Sequence, residues 1–493
     1  MLFVEESTIL NHICKVDNYW LSVREIKKSG GAEMSKKYRV GCKGMDEYGR
    51  GKVTFNNKTF AVANFLPGEK GEIELVFRAK ETGARLVSLD KKSADRAEAV
   101  CGVYEKCGGC HLMHMKYEAQ LLWKQKQMEA LVPEEAAAGK LEPIVGMEEP
   151  WNYRHKVYAS FSTGKRGEVL AGIYEENSHR VVNTTQCAIQ NKTANAIVAE
   201  VVSLMKKTRT PAYDEDRRTG VLRHVYLRIG QKTGQIMVVL VTGSSEFKER
   251  NKFVDGLRKK FPEITTIIHN INSAKTSMVL GKKETVLFGN GTIEDELCGL
   301  TFEISSQSFY QVNPVQTEKL YETAVGFAGL TGTETVLDAY CGIGTIGMVA
   351  AKSAKQVIGV EVNETAVRDA KKNAKKNGCS NISFTAADAG DYMMRLAADK
   401  GTKKPDVVFM DPPRSGSDRK FMDAMCAMAP ERIVYISCNP ATQKRDTDYL
   451  KKKGYEILRI RAVDCFCHTY HAESVLVMEK KQKETQGERN GKK

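Results

Sequence analysis

Short apolar runs alternate with helix-like segments over the last third of the chain, and several of these runs stop at a polar residue. The runs are VLD at 336–338, VIGVE at 357–361, VVFMD at 407–411 and RIVYIS at 432–437. Strands that alternate with helices in this way are typical of a mostly parallel, doubly wound sheet. The pattern therefore predicts an α/β domain over residues 311–480.

The rest of the chain follows other patterns. Between 37 and 95, short β-like runs are separated by glycine-containing turns, which predicts a small β-barrel. The segment 96–310 begins with a cysteine-rich stretch and becomes strand-rich, so we predict a central α+β domain. Residues 1–36 are expected to form an N-terminal extension, with Met34 as an alternative start. The polar, basic segment 481–493 is predicted to be a disordered tail.

Composition narrows the choice of partner and compartment. The net charge of +14 favours a polyanionic partner such as nucleic acid, although a merely soluble basic protein has the same charge. No apolar run is long enough to span a membrane, and the acidic N-terminus is unlike a signal peptide. We therefore predict a cytoplasmic protein without a membrane partner. Its thirteen cysteines are then expected to be reduced, and most of them to be small core residues.

The segment VLDAYCGIGTIG carries the first indication of a ligand. A predicted strand ends at Asp338, and Gly342 and Gly344 follow in a turn that lets the backbone approach a ligand closely. The next strand ends at Glu361, which is placed to bind ribose hydroxyls. With the acidic strand end, the segment resembles the S-adenosylmethionine (SAM) site of class I methyltransferases more than an NAD site or a non-binding fold.

The segment DVVFMDPPRSG also ends a predicted strand with an acid, Asp411, and continues with two prolines that stiffen the loop. Enzymes that methylate amino groups often carry an aromatic residue after such a Pro-Pro pair. Here the residue is Arg414, which argues against methylation of an exocyclic amine.

Cys438 follows the strand RIVYIS, at the edge where ligands bind in open α/β sheets. A thiolate that adds to carbon 6 of uracil activates carbon 5 toward a methyl sulfonium, and a base must then remove the proton on carbon 5. Glu473 is the candidate base. The alternatives are a buried small residue at 438 and a surface or salt-bridged carboxylate at 473. Packing accounts for the other cysteines nearby in sequence, which are Cys341, Cys465 and Cys467.

A third group of candidates lies in CGVYEKCGGCHLMH. Cys101, Cys107 and Cys110 have the spacing C-x5-C-x2-C, and closely spaced thiolates commonly bind a metal. Cys187 is the natural fourth ligand and His111 a weaker one. The spacing leaves an iron–sulfur cluster, zinc and no metal as open alternatives.

Basic and aromatic residues suggest RNA contacts. In WNYRHKVYASF, Arg154 and Lys156 alternate with apolar residues, so they contact phosphates or simply form a solvated strand face. Phe309 and Tyr310, in SQSFYQVNP, are candidates for stacking on a base, with core packing as an equal alternative.

Together these motifs resemble the bacterial 23S ribosomal RNA (uracil-5-)-methyltransferase family. The segments SFYQVNP, LDAYCGIGTIG, GVEVN, MDPPRSG, SCNPAT and HAES occur in family order over residues 37–480. The resemblance implies a TRAM domain with an OB-like barrel at 37–95, a nucleophile at Cys438 and a base at Glu473. It also implies a [4Fe-4S] cluster on Cys101, Cys107, Cys110 and Cys187. The positions that it places at SAM are Gln311, Tyr340, Gly342, Gly344, Thr345, Glu361, Asp388 and Asp411; Thr345 and Asp388 depart from the residues of the best-known relatives.

The sequence thus predicts a monomeric, SAM-dependent enzyme that makes 5-methyluridine in 23S ribosomal RNA. A TRAM domain and a cysteine cluster favour ribosomal RNA, because the bacterial tRNA branch of the family typically lacks both. The same chemistry on tRNA and a non-catalytic RNA-binding or RNA-folding factor are the two alternatives.

Overall fold

The structure is a computed structural model that describes residues 37–55, 57–77, 82–175 and 178–481. The predicted N-terminal extension, the alternative start at Met34 and the tail beyond Lys481 lie outside this range. The chain divides into two compact units. The first comprises the chain up to Gln127 together with Ile144–Glu318 and Asp464–Ala472, and the second comprises Met128–Pro143, Lys319–Val463 and the chain from Glu473 onward.

The first unit begins with two small antiparallel sheets. Their strands are β1 (Lys37–Gly41), β2 (Gly44–Met45), β3 (Gly51–Phe55), β4 (Lys58–Val62), β5 (Lys70–Phe77) and β6 (Thr82–Lys91). The strand orders are β1-β5-β6 and β2-β3-β4. Val53, Val62, Phe65 and Ile73 are buried between them because apolar residues alternate with exposed ones along the strands. The predicted strand-rich N-terminal region is confirmed, whereas its assignment as a TRAM domain stays a prediction.

The remainder of the first unit surrounds a seven-stranded sheet with the order β10-β9-β8-β11-β12-β13-β14. The elements from 117 to 305 are α1 (Tyr117–Leu131), α2 (Pro133–Ala137), β7 (Leu141–Val145), β8 (Lys156–Thr163), β9 (Val169–Tyr174), β10 (Val181–Asn183), α3 (Lys192–Thr208), β11 (Leu222–Ile229), β12 (Ile236–Thr242), α4 (Arg250–Lys260), β13 (Ile264–Ile271), β14 (Lys283–Phe288), β15 (Thr292–Leu297) and β16 (Leu300–Ser305). Of these, α2 lies in the second unit, and β7 pairs in the sheet of the second unit. Helices α3 and α4 bury their apolar faces against the seven-stranded sheet, with Val201 and Phe253 fully enclosed. The side chain of Asn191 caps α3 by accepting from the Thr193 and Ala194 N–H groups.

The second unit is built on an eight-stranded sheet with the order β19-β18-β17-β20-β21-β23-β22-β7. Its remaining elements are α5 (Pro314–Ala328), β17 (Thr335–Asp338), α6 (Thr345–Ala351), β18 (Gln356–Glu361), α7 (Glu364–Lys376), β19 (Ile382–Ala386), α8 (Ala389–Ala398), β20 (Val407–Met410), α9 (Arg419–Met428), β21 (Arg432–Ser437), α10 (Pro440–Lys452), β22 (Tyr455–Val463) and β23 (Glu473–Lys480). Strands β17 to β21 pair in parallel, whereas β23 pairs antiparallel with β21 and β22. The predicted class I methyltransferase sheet is therefore confirmed.

This topology fixes where ligands bind. The chain order reverses at β17 and β20, which are neighbours in the sheet, and ligands of open α/β sheets bind at the carboxyl end of such a switch point. Because β23 runs against its neighbours, its first residues lie at the same edge. Within the described ranges, none of the helices has both the length and the apolar character needed to cross a bilayer.

Candidate active site and cysteine cavity

The turn after β17 is shaped by an acid and two glycines. Asp338 is buried, and its Oδ2 accepts a 2.9 Å hydrogen bond from the Gly347 N–H. Gly342 and Gly344 have φ values of 53° and 84°, in the left-handed region that favours glycine. A Cβ on Gly344 would also lie 2.7 Å from the Phe384 ring, so no other residue fits this turn without displacement.

Glu361, at the end of β18, accepts hydrogen bonds from this turn. Its Oε2 lies 3.2 Å from the Gly342 N–H, and its Oε1 accepts a 2.8 Å bond from the Asn363 N–H. The carboxylate is half-buried and faces the glycine turn. This is the geometry expected of an acid that binds ribose hydroxyls beside a glycine-rich turn.

Other residues that are predicted to contact SAM lie outside this pair of glycine turn and acid. Tyr340 packs its ring 5.1 Å from that of Phe421, and burial raises the pKa of its hydroxyl. The Thr345 hydroxyl lies 3.0 Å from the Tyr321 hydroxyl. Asp388 is exposed and caps α8 by accepting from the Asp391 N–H at 2.9 Å. Gln311 belongs to the first unit. All eight residues predicted at SAM stay predictions as SAM contacts, including Gly342, Gly344, Glu361 and Asp411.

The thiol and the carboxylate of the proposed chemistry come together through strand register. In the antiparallel pair of β21 and β23, Ser437 lies opposite Ser474. Cys438 follows the end of β21 and Glu473 begins β23, so the two side chains are neighbours at the carboxyl edge of the sheet. Cys438 is half-buried, whereas Glu473 is only 4% exposed. The two residues are 35 positions apart in sequence, and the antiparallel pairing of β23 with β21 brings them together in space.

Arg414 is the functional residue whose role sequence reasoning missed. Burial and the neighbouring Glu473 carboxyl raise the pKa of the Cys438 thiol to about 12, while the nearby Arg414 guanidinium opposes them. Arg414 Nη2 is buried and makes no hydrogen bond within the described part of the chain. A cation at this point stabilises a thiolate. The sequence signal that could have indicated this role is the position of Arg414, directly after two prolines in the loop that follows a strand.

Three carboxyl groups at this edge have raised pKa values; Asp338 and Glu473 are buried, and Asp411 is half-buried. Burial raises the pKa of Asp338 and of Asp411 to about 7 each. Burial, together with the nearby Asp411, raises the pKa of Glu473 to about 8, and Arg414 opposes that shift. Acids that hold their protons near neutral pH are suited to proton transfer and would be stabilised as anions by a cationic ligand.

The loop after Cys438 is held against the loop after β20. Asn439 Nδ2 donates to the Arg414 carbonyl oxygen at 3.1 Å, and the Thr442 hydroxyl donates to the same oxygen at 3.2 Å. The buried Asp446 accepts from the Tyr435 hydroxyl at 2.8 Å and from the Ser417 N–H at 2.9 Å. These bonds fix the backbone that carries both the thiol and the guanidinium.

The four cysteines predicted as cluster ligands line one cavity in the first unit. Cys101, Cys107, Cys110 and Cys187 are free thiols, and apolar residues such as Val103, Met113 and Ile173 line the same space. Burial raises the pKa of the Cys107 thiol to about 11, and the sulfurs of Cys187 and Cys101 add to that shift. The four cysteines therefore border the same space.

Among the described residues, no group of three or more candidate ligands surrounds a single metal-ion position. A [4Fe-4S] centre distributes its cysteines over four iron atoms, so its ligands need not surround one point. The four thiols share a cavity that His111 does not line, and their assignment as ligands of a [4Fe-4S] cluster stays a prediction.

The residues predicted to contact RNA differ in where they lie and in how exposed they are. Arg154 and Lys156 line the cysteine cavity, and the Lys156 ammonium lies 4.9 Å from the centre of the Phe309 ring. Phe309 is 46% exposed, as a base-stacking residue must be, whereas Tyr310 is buried. All three predicted contacts, which are Arg154, Lys156 and Phe309, remain predictions.

Known proteins share both the sequence and the fold. A family model described as tRNA (uracil-5-)-methyltransferase matches residues 117–481. An uncharacterised RNA methyltransferase of Halalkalibacterium halodurans is 41% identical over 437 residues, which cover 88% of this chain and 94% of the relative. Another, of Clostridium tetani, is 38% identical over 455 residues and covers 92% of this chain and 98% of its own.

A solved structure shows the same fold. The tRNA (uracil-54, C5)-methyltransferase of Pyrococcus abyssi, in complex with S-adenosyl-L-homocysteine, aligns with a TM-score of 0.70 and 23% identity over 90% of this chain and 100% of its own. These comparisons support the predicted methyl donor, SAM, and an RNA substrate. The chain therefore belongs to the tRNA (uracil-5-)-methyltransferase family and is an RNA methyltransferase.

Proposed function

We propose that this enzyme transfers a methyl group from SAM to carbon 5 of uridine in 23S ribosomal RNA. The observation that carries the proposal is the adjacency of Cys438 and Glu473 across β21 and β23, with Arg414 at the thiol. Methylation of an amine would need neither a thiol nor a base beside it. The target uridine is expected to be flipped out of its stack to reach this edge.

The chemistry follows from the placement of these groups. Cys438 loses its proton to water, and Arg414 stabilises the resulting thiolate. The thiolate bonds to carbon 6, and the electrons of the 5,6 double bond pass toward the carbon 4 oxygen. Bound SAM supplies an electrophilic methyl group on a positive sulfonium. Once carbon 5 carries the methyl, Glu473 removes its remaining proton, the double bond re-forms, and the Cys438 thiolate is expelled.

Two features support ribosomal RNA as the substrate. The strand-rich segment from Lys37 to Lys91 resembles a TRAM domain, and the four-cysteine cavity matches the ribosomal branch of the family. The net charge of +14 suits either RNA. The rival is tRNA, which is favoured by the name of the family and by the tRNA methyltransferase activity of the Pyrococcus abyssi protein.

We further propose that Cys101, Cys107, Cys110 and Cys187 hold a [4Fe-4S] cluster. Burial raises the pKa of the Cys107, Cys110 and Cys187 thiols, and a cationic metal centre would stabilise them as thiolates. The methylation chemistry requires no electron transfer. The cluster is thus assigned a structural role.

Glu473→Gln is expected to accumulate a covalent protein–RNA adduct, because the thiol can still add while the proton on carbon 5 is no longer removed. The adduct would be seen as a slower band on a denaturing gel with labelled RNA. The double variant Cys438→Ala/Glu473→Gln is the matched control and should give no adduct. Methylation by Cys438→Ala alone would contradict the covalent route.

Glu473→Gln should also be more thermostable than the parent at pH 8.5, with a much smaller difference at pH 5. The carboxyl has an ordinary pKa of 4.5 when unfolded and about 8 when folded, so ionising it costs stability progressively as pH rises between those values. Thermal unfolding across this range checks the sign. Glu431→Gln, at an exposed carboxylate, should show no such trend.

Purified enzyme should methylate 23S ribosomal RNA taken from cells that lack this gene, and 5-methyluridine should be missing from that RNA beforehand. Transfer of labelled methyl groups to ribosomal RNA and to tRNA from the same cells provides the comparison. Activity on tRNA alone would replace the proposed substrate with its rival.

Protein purified without oxygen should contain about four iron and four sulfide per chain. Cys187→Ser should lower the iron content and the visible absorbance, because it removes one of four ligands. Cys379→Ser, outside the cavity, is the matched control. Stoichiometric zinc without iron would overturn the cluster assignment.

A further inference from the structure

Helix α1 carries a buried polar stripe that the proposed chemistry does not use. Tyr117, Gln120 and Lys124 follow one another at spacings of three and four residues, so they share one face of the helix. All three bind the segment Asp464–Ala472, which connects β22 to β23 and which we call the base loop because Glu473 follows it directly.

Lys124 contacts the base loop at both ends. Its ammonium donates to Asp464 Oδ1 at 2.6 Å, to the Phe466 carbonyl oxygen at 3.3 Å and to the His471 carbonyl oxygen at 2.8 Å. Lys124 is 2% exposed and Asp464 is 0% exposed. An ammonium has three donors, and each of them meets an oxygen of this one loop.

The other two residues of the stripe bind the start and the middle of the loop. The Tyr117 hydroxyl donates to Asp464 Oδ2 at 3.0 Å. Gln120 Oε1 accepts from the His468 N–H at 3.1 Å, and Gln120 Nε2 lies 3.1 Å from His468 Nδ1. The His468 ring also stacks on Trp151 with centres 3.9 Å apart. The loop is therefore held at its start, middle and end.

A buried ion pair is a poor way to gain stability, because removing both charges from water offsets most of their attraction. Its hydrogen bonds do, however, select one loop conformation among many. His471, whose carbonyl Lys124 binds, lies two residues before Glu473, so their Cα atoms are separated by no more than about 7.6 Å. Only Ala472 lies between His471 and Glu473 in the chain.

We propose that Lys124 is a positioning residue for the base: by binding Asp464, Phe466 and His471 together, it sets where β23 begins and hence where the Glu473 carboxylate lies. This inference rests on the proposed role of Glu473. The step that it controls is removal of the proton on carbon 5, because addition of Cys438 and methyl transfer precede the action of the base.

Lys124→Met keeps the length of the side chain and removes all three hydrogen bonds. A displacement of about 1 Å at a reacting group costs on the order of 100-fold, so we expect kcat to fall about 10- to 100-fold. RNA affinity should stay at the parental value, and a covalent adduct carrying the methyl group should accumulate. Lys126→Met, at an exposed position of the same helix, should behave as the parent.

A second variant separates positioning from stability. In Lys124→Met/Asp464→Leu, both buried charges are replaced by apolar groups, which is often neutral or stabilising. We expect this protein to fold with a melting temperature near that of the parent and still to accumulate adduct. Tyr117→Phe keeps the Lys124 contacts and removes the hydroxyl that binds Asp464, the Met147 N–H and the Cys467 sulfur, so it should change kcat in the same direction by a smaller factor.

The outcomes are distinguishable. If these variants release product at the parental rate without adduct, while Glu473→Gln does accumulate adduct, Lys124 only stabilises the fold and the inference fails. If Glu473→Gln itself forms no adduct, the assignment of the base fails instead.

Discussion

The antiparallel pairing of β23 with β21 is the constraint on which the site depends. Because β23 runs against the parallel strands beside it, its first residue lies at the edge where they end. A register with Ser437 opposite Ser474 makes Cys438 and Glu473 neighbours. A slip of one residue would turn every side chain of the buried strand to the other face. The fully buried apolar run from Val475 to Met478 prevents such a slip.

The same edge is electrostatically unfavourable without a ligand. Asp338, Asp411 and Glu473 all have pKa values raised by burial, and the Cys438 thiol is held in its neutral form. Arg414 supplies a nearby cation that counters these shifts at both the thiol and the base. A positively charged methyl donor would favour ionisation of the whole group. Burial of these acids therefore favours a cationic ligand over an anionic one at this edge.

Much of this could be predicted from sequence, for identifiable reasons. The alternation of apolar runs and helices indicated the doubly wound sheet, and Asp338 and Glu361 stood out because each ends a buried strand before a turn or helix. The thiol at Cys438 and the four clustered cysteines were found by residue type and spacing. The role of Arg414 was missed because a guanidinium after two prolines has no distinctive pattern, and its effect depends on a sulfur reached through another strand.

The sequence by itself determined which groups are candidates for the chemistry. The glycine turn between acids, the thiol at a strand end and the later carboxylate are local features, and each can be recognised from residue type and periodicity. What only the tertiary structure decided is how distant groups are held. The buried Lys124 ammonium donates hydrogen bonds to Asp464 and to the His471 carbonyl oxygen, which lie more than three hundred positions further along the chain. No local pattern indicates these contacts, because a lysine on a helix ordinarily faces water and only packing shows that this one does not.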